Sequence, residues 1–461
     1  MMILNRLKDY FSDFETTNFF LFFLLSKYRF KHFSKKDIEN YQKVKRQFIV
    51  DYAFRNSKFF RKLYENYDLK DFDKLPIINK KIMMDNLSDY NTLGLKKEEI
   101  INFCCEVEKS RDFSRRLKGL NIGMSSGTSG NKGVEIVTRR EEMYMRAAFL
   151  SRFDFPEGEK MNVAFILRVS APAFNLNILG NRLTYISQLD SIENIMKKLE
   201  DLNPNIISGP PSILKLIAKN IIKGKYKVKP KRIISYAEIL YPDVRDFLKN
   251  VFNCPIHEIY KATEGPIGIT CEKEKLHINE DLVYVETLNR DLSVAEPGKE
   301  CEKLVVTDLH KWGQPIIRYN LNDVITISPK KCSCGSNFRV IEKIVGRNDH
   351  LFYGKRKDGK GLNFISPDYI SRAIISSSEK IEEYQVFEKS PEEILVMIEL
   401  KKDEKESFFE KDILTKNLKE IFKKYDCEEP NVKISFEDIT NKKDFNKFIR
   451  MRREFEVKEE M

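Results

Sequence analysis

The chain has 461 residues, 41% of them hydrophobic, so it is too long for one ordinary core and has apolar material for two or three. The formal net charge is +11, yet acidic residues are interleaved with basic ones throughout and no nucleic-acid-binding module is recognisable; the surplus reads as a solvated surface, with no nucleic acid as partner. Eight cysteines in a chain of this length exclude a disulfide framework and point to a reducing, cytoplasmic compartment.

The most apolar run, Phe19 to Leu25, is far shorter than the about 20 residues a bilayer requires, so a buried amphipathic helix is expected and no transmembrane segment. No basic, then apolar, then small-residue leader opens the sequence, and export is not expected. Residues to about 115 read as mainly helical. Ile38, Tyr41, Val44, Phe48 and Tyr52 recur at steps of three and four, the signature of one buried helical face. A glycine-rich run at 125–133 is followed by a strand (VEIVT) and a helix (REEMYMRAAFL). Strands are then expected at Asn162 to Leu167, Asn205 to Gly209, Arg232 to Ala237 and Pro255 to Tyr260. Between them come helices that start near Asp190 with Glu193, at Pro211 and at Pro242. This alternation implies crossover connections, an α/β class with a mostly parallel sheet covered on both faces, and ligands at the carboxyl ends of its strands. From Leu282 the runs LVYVETL, KLVVTDL, PIIRY and VITIS suggest a small β subdomain. Past Gly346, a hairpin around Ser390-Pro391, a helix from Lys405 to Tyr425 and a strand at Val432 to Phe436 suggest a compact α+β domain of roughly 110 residues.

The run Ser125-Ser126-Gly127-Thr128-Ser129-Gly130-Asn131-Lys132-Gly133 supplies backbone N–H groups free to turn toward an anion, hydroxyl donors and a cation, which suits a polyphosphate. The same letters suit a flexible linker. The ordinary P-loop is excluded because Gly133, not serine or threonine, follows Lys132.

Three further segments stand downstream: Tyr260-Lys-Ala-Thr263-Glu264-Gly265, Pro315-Ile-Ile-Arg318-Tyr319-Asn-Leu-Asn-Asp323, and Gly346-Arg347-Asn348-Asp349 followed by GLNFISP. With the glycine-rich run, in this order, the chain resembles the adenylate-forming superfamily over nearly its whole length. Within it, the resemblance is to the branch of phenylacetate-CoA ligases, coenzyme F390 synthetases and CapK-like proteins. That resemblance implies an N-terminal adenylate-forming domain at 1–345 and a mobile C-terminal domain at 346–461. It implies ATP-dependent activation of a small-molecule carboxylate as an acyl-adenylate, with release of pyrophosphate. The acyl group would then pass to an amine, hydroxyl or thiol acceptor, in CapK-like members during surface polysaccharide assembly. The alternatives are an aryl- or acyl-CoA ligase, with CoA as cosubstrate, and a catalytically degenerate nucleotide-binding protein.

By the same resemblance Ser125, Ser126, Gly127, Thr128, Ser129, Gly130 and Lys132 would hold the β- and γ-phosphates. Thr263 would contact the α-phosphate and Glu264 would bind Mg²⁺. Ala237, Glu238 and Tyr260 would form the adenine site, Asp323 would accept from the ribose hydroxyls, and Arg318 would brace the loop. Arg347 would reach the phosphates or ribose, and Asp349 matches the hinge. Lys447, in Phe445-Asn446-Lys447, would bridge the attacking carboxylate and the α-phosphate. The carboxylate pocket would include Phe165 to Asn177, Arg168 among them, with Ser235 and Tyr236. Two departures from the family pattern stand out: the phosphate loop lacks a proline before Lys132 and is one residue shorter, and Asn446 replaces a glycine.

Cys271 and His277, in Cys-x4-Leu-His, with Cys332 and Cys334, in Cys-x-Cys-Gly, offer three thiolates and an imidazole, the soft donor set of a tetrahedral ion. The resemblance places a structural zinc there. Four protein ligands leave no open position for zinc chemistry. Cys104, Cys105, Cys254, Cys301 and Cys427 have no partners at ligand spacing and read as small core residues. The sequence leaves oligomeric state open, a homodimer included.

Overall fold

The computed structural model describes residues 13–110, 112, 114–124, 133–152, 159–167, 176–178, 181–347, 351–365, 367–439, 449–455 and 457. They form two compact units: residues 1–321 with 326–343, and residues 322–325 with 344–461.

The first unit opens with helices α1 (Asp13–His32) and α2 (Lys35–Asn56), separated at Ser34, which closes a capping box with Asp37 at the head of α2. The buried face of α2 is Ile38, Gln42, Ile49, Val50 and Ala53. This corrects the sequence-based face, for Val44 and Phe48 are exposed. Tyr52 and Phe48 instead pack on the indole of Trp312, a partner whose position no local periodicity encodes. The run expected to be a buried helix is likewise corrected: α1 is helical, but Phe20, Leu21, Leu24 and Leu25 face outward.

After helix α3 (Lys97–Ser110) come antiparallel strands β1 (Asn121–Met124) and β2 (Val134–Val137), paired from Asn121 with Val137 to Met124 with Val134. The glycine-rich segment 125–132 between them lies outside the described residues. Helix α4 (Arg139–Arg152) follows. The main sheet is then built from β3 (Asn162–Leu167), β4 (Leu176–Ile178), β5 (Asn181–Ser187), β6 (Ile206–Gly209), β7 (Arg232–Tyr236) and β8 (Ile256–Ala262). It continues through β9 (Gly265–Thr270) and β10 (Leu276–Ile278). Strands β5, β3, β6, β7 and β8 are parallel neighbours, and the antiparallel strands extend this centre at both edges.

The crossovers are helices α5 (Ile192–Leu202), α6 (Pro211–Ile222) and α7 (Pro242–Phe252), whose apolar sides close a core around Leu199, Ile207, Leu214, Ile217, Ile233, Leu248 and Ile256. The residue that caps α5 is Ser191, accepting from the Asn194 amide, one position after the expected Asp190. Proline in the first turn of α6 and α7 fits the missing N–H of a helix start.

The β subdomain is an antiparallel sheet of β11 (Val283–Leu288), β12 (Lys303–Asp308) and β13 (Tyr319–Asn320). Pro315 to Arg318 is not strand, because Arg318 takes a left-handed backbone (φ +44°). Its guanidinium is buried on Glu286 at 3.0 Å and on the carbonyls of Leu75 and Asp73. Strands β14 (Asp323–Ile327) and β15 (Val340–Arg347) belong to the main sheet, β15 pairing antiparallel with β10 and β14 lying outside it, which corrects the placement of VITIS in the β subdomain; they also carry the chain from one unit to the other.

In the second unit, β16 (Phe352–Lys355) and β17 (Leu362–Ile365) pair as a hairpin. Helices α8 (Pro367–Ile375) and α9 (Lys411–Lys424) share a core with a sheet ordered β20-β19-β18-β21, built from β18 (Ile381–Ser390), β19 (Glu393–Leu400), β20 (Asn431–Phe436) and β21 (Met451–Arg453). Helix α9 starts six residues later than expected, since Glu406–Phe408 forms a separate 3₁₀ turn.

The most buried of the described ion pairs of the first unit joins Arg152, at the end of α4, to Asp281 at 2.5 Å, with side chains 2% and 0% exposed. The same guanidinium donates to the Ser26 carbonyl, and the Ser26 hydroxyl donates to Asp281 at 2.8 Å. Arg152→Ala strips a buried carboxylate of its counter-charge and is expected to cost about 3–5 kcal/mol in urea unfolding. Replacing both partners with apolar residues of similar volume, as in Arg152→Met with Asp281→Leu, is expected to recover most of that loss.

Candidate functional site

Strands β6, β7 and β8 run parallel, so their carboxyl ends lie side by side, where open α/β sheets bind ligands. Ala237 and Glu238 leave the end of β7, and Tyr260, Thr263 and Glu264 stand at the end of β8. Ala237 holds φ at +68°, a conformation an alanine adopts only when its surroundings impose it. The Glu238 carboxylate is already engaged, accepting from the Ser212 amide at 3.1 Å and the Ser212 hydroxyl at 3.0 Å. It thus caps α6, whose own N-cap, Pro210, has no side-chain donor or acceptor. On the same sheet, Phe165 stacks on Tyr236 with ring centres 5.2 Å apart, and the Tyr236 hydroxyl donates to the Ile166 carbonyl at 2.6 Å.

Glu264 is buried and accepts from the Thr263 hydroxyl at 2.7 Å. Behind this turn lies a matched set of charges. Lys261, in the same motif, reaches Glu135 of β2 at 3.1 Å. Lys311 reaches Glu135 at 3.5 Å and donates to the Thr263 carbonyl at 2.7 Å. Burial pushes the Glu135 carboxyl upward, but the two lysines outweigh it and hold the group below its ordinary value. The Gln314 amide, just before the Pro315 segment, accepts from the Ile136 amide and donates to the Val134 carbonyl, each at 2.9 Å. Three of the four motif regions are therefore tied together within the first unit: the strand that leaves the glycine-rich run, the Thr263-Glu264 turn, and the approach to Pro315. Lys311, Glu135 and Gln314 do this tying, and the sequence reading had singled out none of them. The signal available was a lysine and a glutamine inside the HKWGQPIIRY segment, which becomes informative once the partners are known.

A small cavity of about 40 Å³, room for a few waters, lies beside this network, lined in part by Glu135, Gly265, Asp308, His310 and Lys311. Asp308 is buried, and desolvation raises its carboxyl to about 7 despite the nearby Lys311. Burial also holds His310 neutral, well below the ordinary imidazole value.

In the second unit, Asp323 and Arg347 are brought together, Oδ1 to Nε at 3.6 Å, with the arginine the more exposed partner. Lys447, Asn446, Asp349, Arg168 and the loop residues Ser125, Ser126, Gly127, Thr128, Ser129, Gly130 and Lys132 lie outside the described residues.

The ligand atoms of Cys271, His277, Cys332 and Cys334 all lie within 4.8 Å of one another. The sulfurs of Cys271 and Cys332 are 3.7 Å apart, and Cys334 Sγ is 3.4 Å from His277 Nε2. Tetrahedral donors at zinc bond lengths stand about 3.8 Å (S to S) and about 3.5 Å (S to N) apart, so these spacings fit such an ion. His277 Nδ1 lies 2.9 Å from the Phe338 carbonyl, which fixes Nε2 as the atom facing the cluster. The Lys273 and Cys334 amides point at the sulfurs of Cys271 and Cys332. Two glycines shape the site. Gly335 turns at φ +86° after Cys334, and a Cβ on Gly268 would come within 2.6 Å of the His277 carbonyl across β9 and β10. Of the remaining cysteines, Cys104, Cys254, Cys301 and Cys427 are buried, whereas Cys105 is exposed, which corrects its placement among core residues.

No model of a known protein family matches the chain. It is 22% identical to Protein CapK of Staphylococcus aureus over 369 residues, covering 74% of this chain and 76% of that protein. It is also 22% identical to the phenylacetate-coenzyme A ligase of Thermus thermophilus over 388 residues, covering 78% of this chain and 80% of that protein. Among solved structures, 2-hydroxyisobutyryl-CoA ligase in the postadenylation state, in complex with R3-HIB-AMP, superposes with a TM-score of 0.67 at 15% identity. That superposition covers 89% of this chain and 88% of the other.

The Asp308 carboxyl sets a pH dependence. Its folded value, about 7, lies above its ordinary 3.8, so between these limits the folded chain keeps a proton that the unfolded chain has released. Its contribution to stability is full below about pH 4 and is lost as pH rises through about 7. The unfolding free energy of the wild type relative to Asp308→Asn is expected to fall across that window in urea titrations at successive pH values.

Proposed function

We propose, taking as premise that the chain belongs to the adenylate-forming superfamily on its phenylacetate-CoA ligase-like branch, that it activates a carboxylate with ATP as an acyl-adenylate, releases pyrophosphate and passes the acyl group to an acceptor. The observation that carries this reading is the convergence of three motif regions on the Glu135–Lys261–Lys311 network. A carboxylate attacking the α-phosphorus of ATP, with pyrophosphate leaving from the α–β anhydride bond, brings two anions together, and fixed cations and N–H donors must offset their repulsion. In this reading the loop residues from Ser125 to Lys132 receive the β- and γ-phosphates and Thr263 faces the α-phosphate. Tyr260 and the main chain at Ala237-Glu238 flank the base. Asp323 accepts from the ribose, and Arg347, released from its pairing with Asp323, reaches the same sugar or the phosphates. Glu264 holds Mg²⁺, which supplies charge neutralisation on the phosphate oxygens; a buried carboxylate with one oxygen already oriented by Thr263 fits a hard cation. Lys447 positions the attacking carboxylate. The C-terminal domain turns about Asp349 between the two half-reactions.

The acceptor divides two finer readings. Transfer to the thiol of CoA is supported by the names of the phenylacetate-coenzyme A ligases of Thermus thermophilus and Pseudomonas putida. Transfer to an amine or hydroxyl, in polysaccharide assembly, rests on the likeness to CapK. Cys271, His277, Cys332 and Cys334 hold a structural zinc, and the chain works in the reducing cytoplasm, consistent with eight free cysteines.

Exchange of labelled pyrophosphate into ATP, screened over aromatic acids, fatty acids and amino acids, is expected to appear with one of these classes. Glu264→Gln is expected to lower it about a hundredfold, roughly 3 kcal/mol of transition-state stabilisation. Exchange that needs no carboxylate, or full activity in Glu264→Gln, overturns the assignment. Thioester formation on adding CoA separates the two acceptors.

Elemental analysis of the purified chain is expected to give one zinc per chain. Cys334→Ser is expected to lose the metal and about 3 kcal/mol of unfolding free energy. Retention of full zinc content by that variant removes Cys334 from the ligand set.

A further inference from the structure

The middle of helix α1, Phe19 to Leu25, is apolar on every side, a composition that suits a segment covered all round. Among the described residues, contacts cover its inner side. Phe22 packs on Tyr144 with ring centres 4.4 Å apart, and Arg29 donates to the Tyr144 hydroxyl at 3.0 Å. Ser26 joins the buried pair of Arg152 and Asp281, and Phe30 meets His277 and Phe338 edge to face. The helix is thus fixed to the first unit. On its outer side Phe20, Leu21, Leu24, Leu25 and Tyr28, at the spacing of one helical face, are exposed, Leu24 by 60% and Tyr28 by 58%. Such a stripe is of the order of 400 Å² of contiguous apolar surface, a size that marks an interaction site.

The C-terminal end of the stripe is strongly basic. Lys27 flanks it, and Lys31, His32, Lys35 and Lys36 are exposed just beyond. The acidic residues of this stretch are Asp37 and Glu39, and Asp37 is engaged with Ser34 in the capping box of α2. No helix among the described residues is long and apolar enough to cross a membrane. We propose that the outer face of α1 lies on an anionic lipid surface. Its apolar stripe enters the boundary between headgroups and acyl chains, about 5–10 Å deep, and its lysines meet the anionic headgroups. Tyr28 stands between the two zones, where an aromatic ring with a polar tip is favoured.

The full chain tests this by cosedimentation with vesicles of equal parts phosphatidylglycerol and phosphatidylcholine, against vesicles of phosphatidylcholine alone. The expected result is sedimentation with the anionic vesicles, about tenfold weaker partition onto the neutral ones, and loss of binding as salt rises. Leu21→Glu with Leu24→Glu is expected to reduce partition about tenfold or more while leaving the thermal midpoint and pyrophosphate exchange of the wild type unchanged. If that variant does not fold, Lys31→Glu with Lys35→Glu serves instead, with the same expected loss on anionic vesicles. A wild-type chain that stays in the supernatant, or variants that partition as it does, overturns the proposal. So does a wild-type dimer that the leucine variant converts to monomers, for the stripe is then a contact between copies. The vesicle readout does not depend on catalytic activity, so it stands or falls apart from the ligase reading.

Discussion

The arrangement at the carboxyl edge of the sheet depends on one half-buried carboxylate being matched by two cations. Glu135 sits on the short strand β2, and Lys261 and Lys311 approach it from β8 and from the β subdomain. An acid buried without partners would be neutralised; paired twice, it stays ionised and each lysine keeps a fixed direction. Lys311 then uses its remaining donor capacity on the Thr263 carbonyl, so the orientation of the Thr263-Glu264 turn is inherited from an electrostatic contact some 130 residues away in sequence.

A second buried pair lies close to this network, the Asp281 carbonyl meeting His310 Nε2 at 3.0 Å, one residue before Lys311. Arg152 and Asp281 join α1, α4 and the segment after β10, while the same guanidinium lies over Phe30 and Phe338. Asp281 is four residues beyond His277, and Phe338 supplies the carbonyl that orients that imidazole. The cysteine cluster and the anchored N-terminal helix are therefore one packed body, and the rigidity of either is shared with the other.

Much of this was legible in the sequence, and the failures have a common cause. The strand Asn162–Leu167 and the helix starts at Pro211 and Pro242 were readable to the residue because local period, proline at the helix start and neighbouring turns agreed. The four donors Cys271, His277, Cys332 and Cys334 were chosen on residue type and likeness, and they do converge. Ala237, Glu238, Tyr260, Thr263 and Glu264 share one sheet edge, although their roles toward a nucleotide are not visible in their positions. Apolarity misled where a helix faces two ways. Val44 and Phe48 are as hydrophobic as Ile49, and only the tertiary partner decides which side is covered. Lys311 and Gln314 were invisible because a buried polar side chain is distinguished from a surface one by its partners, not by its letter.

The engagement of Glu238 with the start of α6 has a consequence for anyone who would retune this protein. Side-chain libraries at that position would sample the integrity of a crossover helix before they sampled preference for one nucleobase over another. In the proposed reading the base would meet the peptide groups of this corner, including the left-handed one at Ala237, and such a contact is altered by reshaping the turn rather than by exchanging its letters.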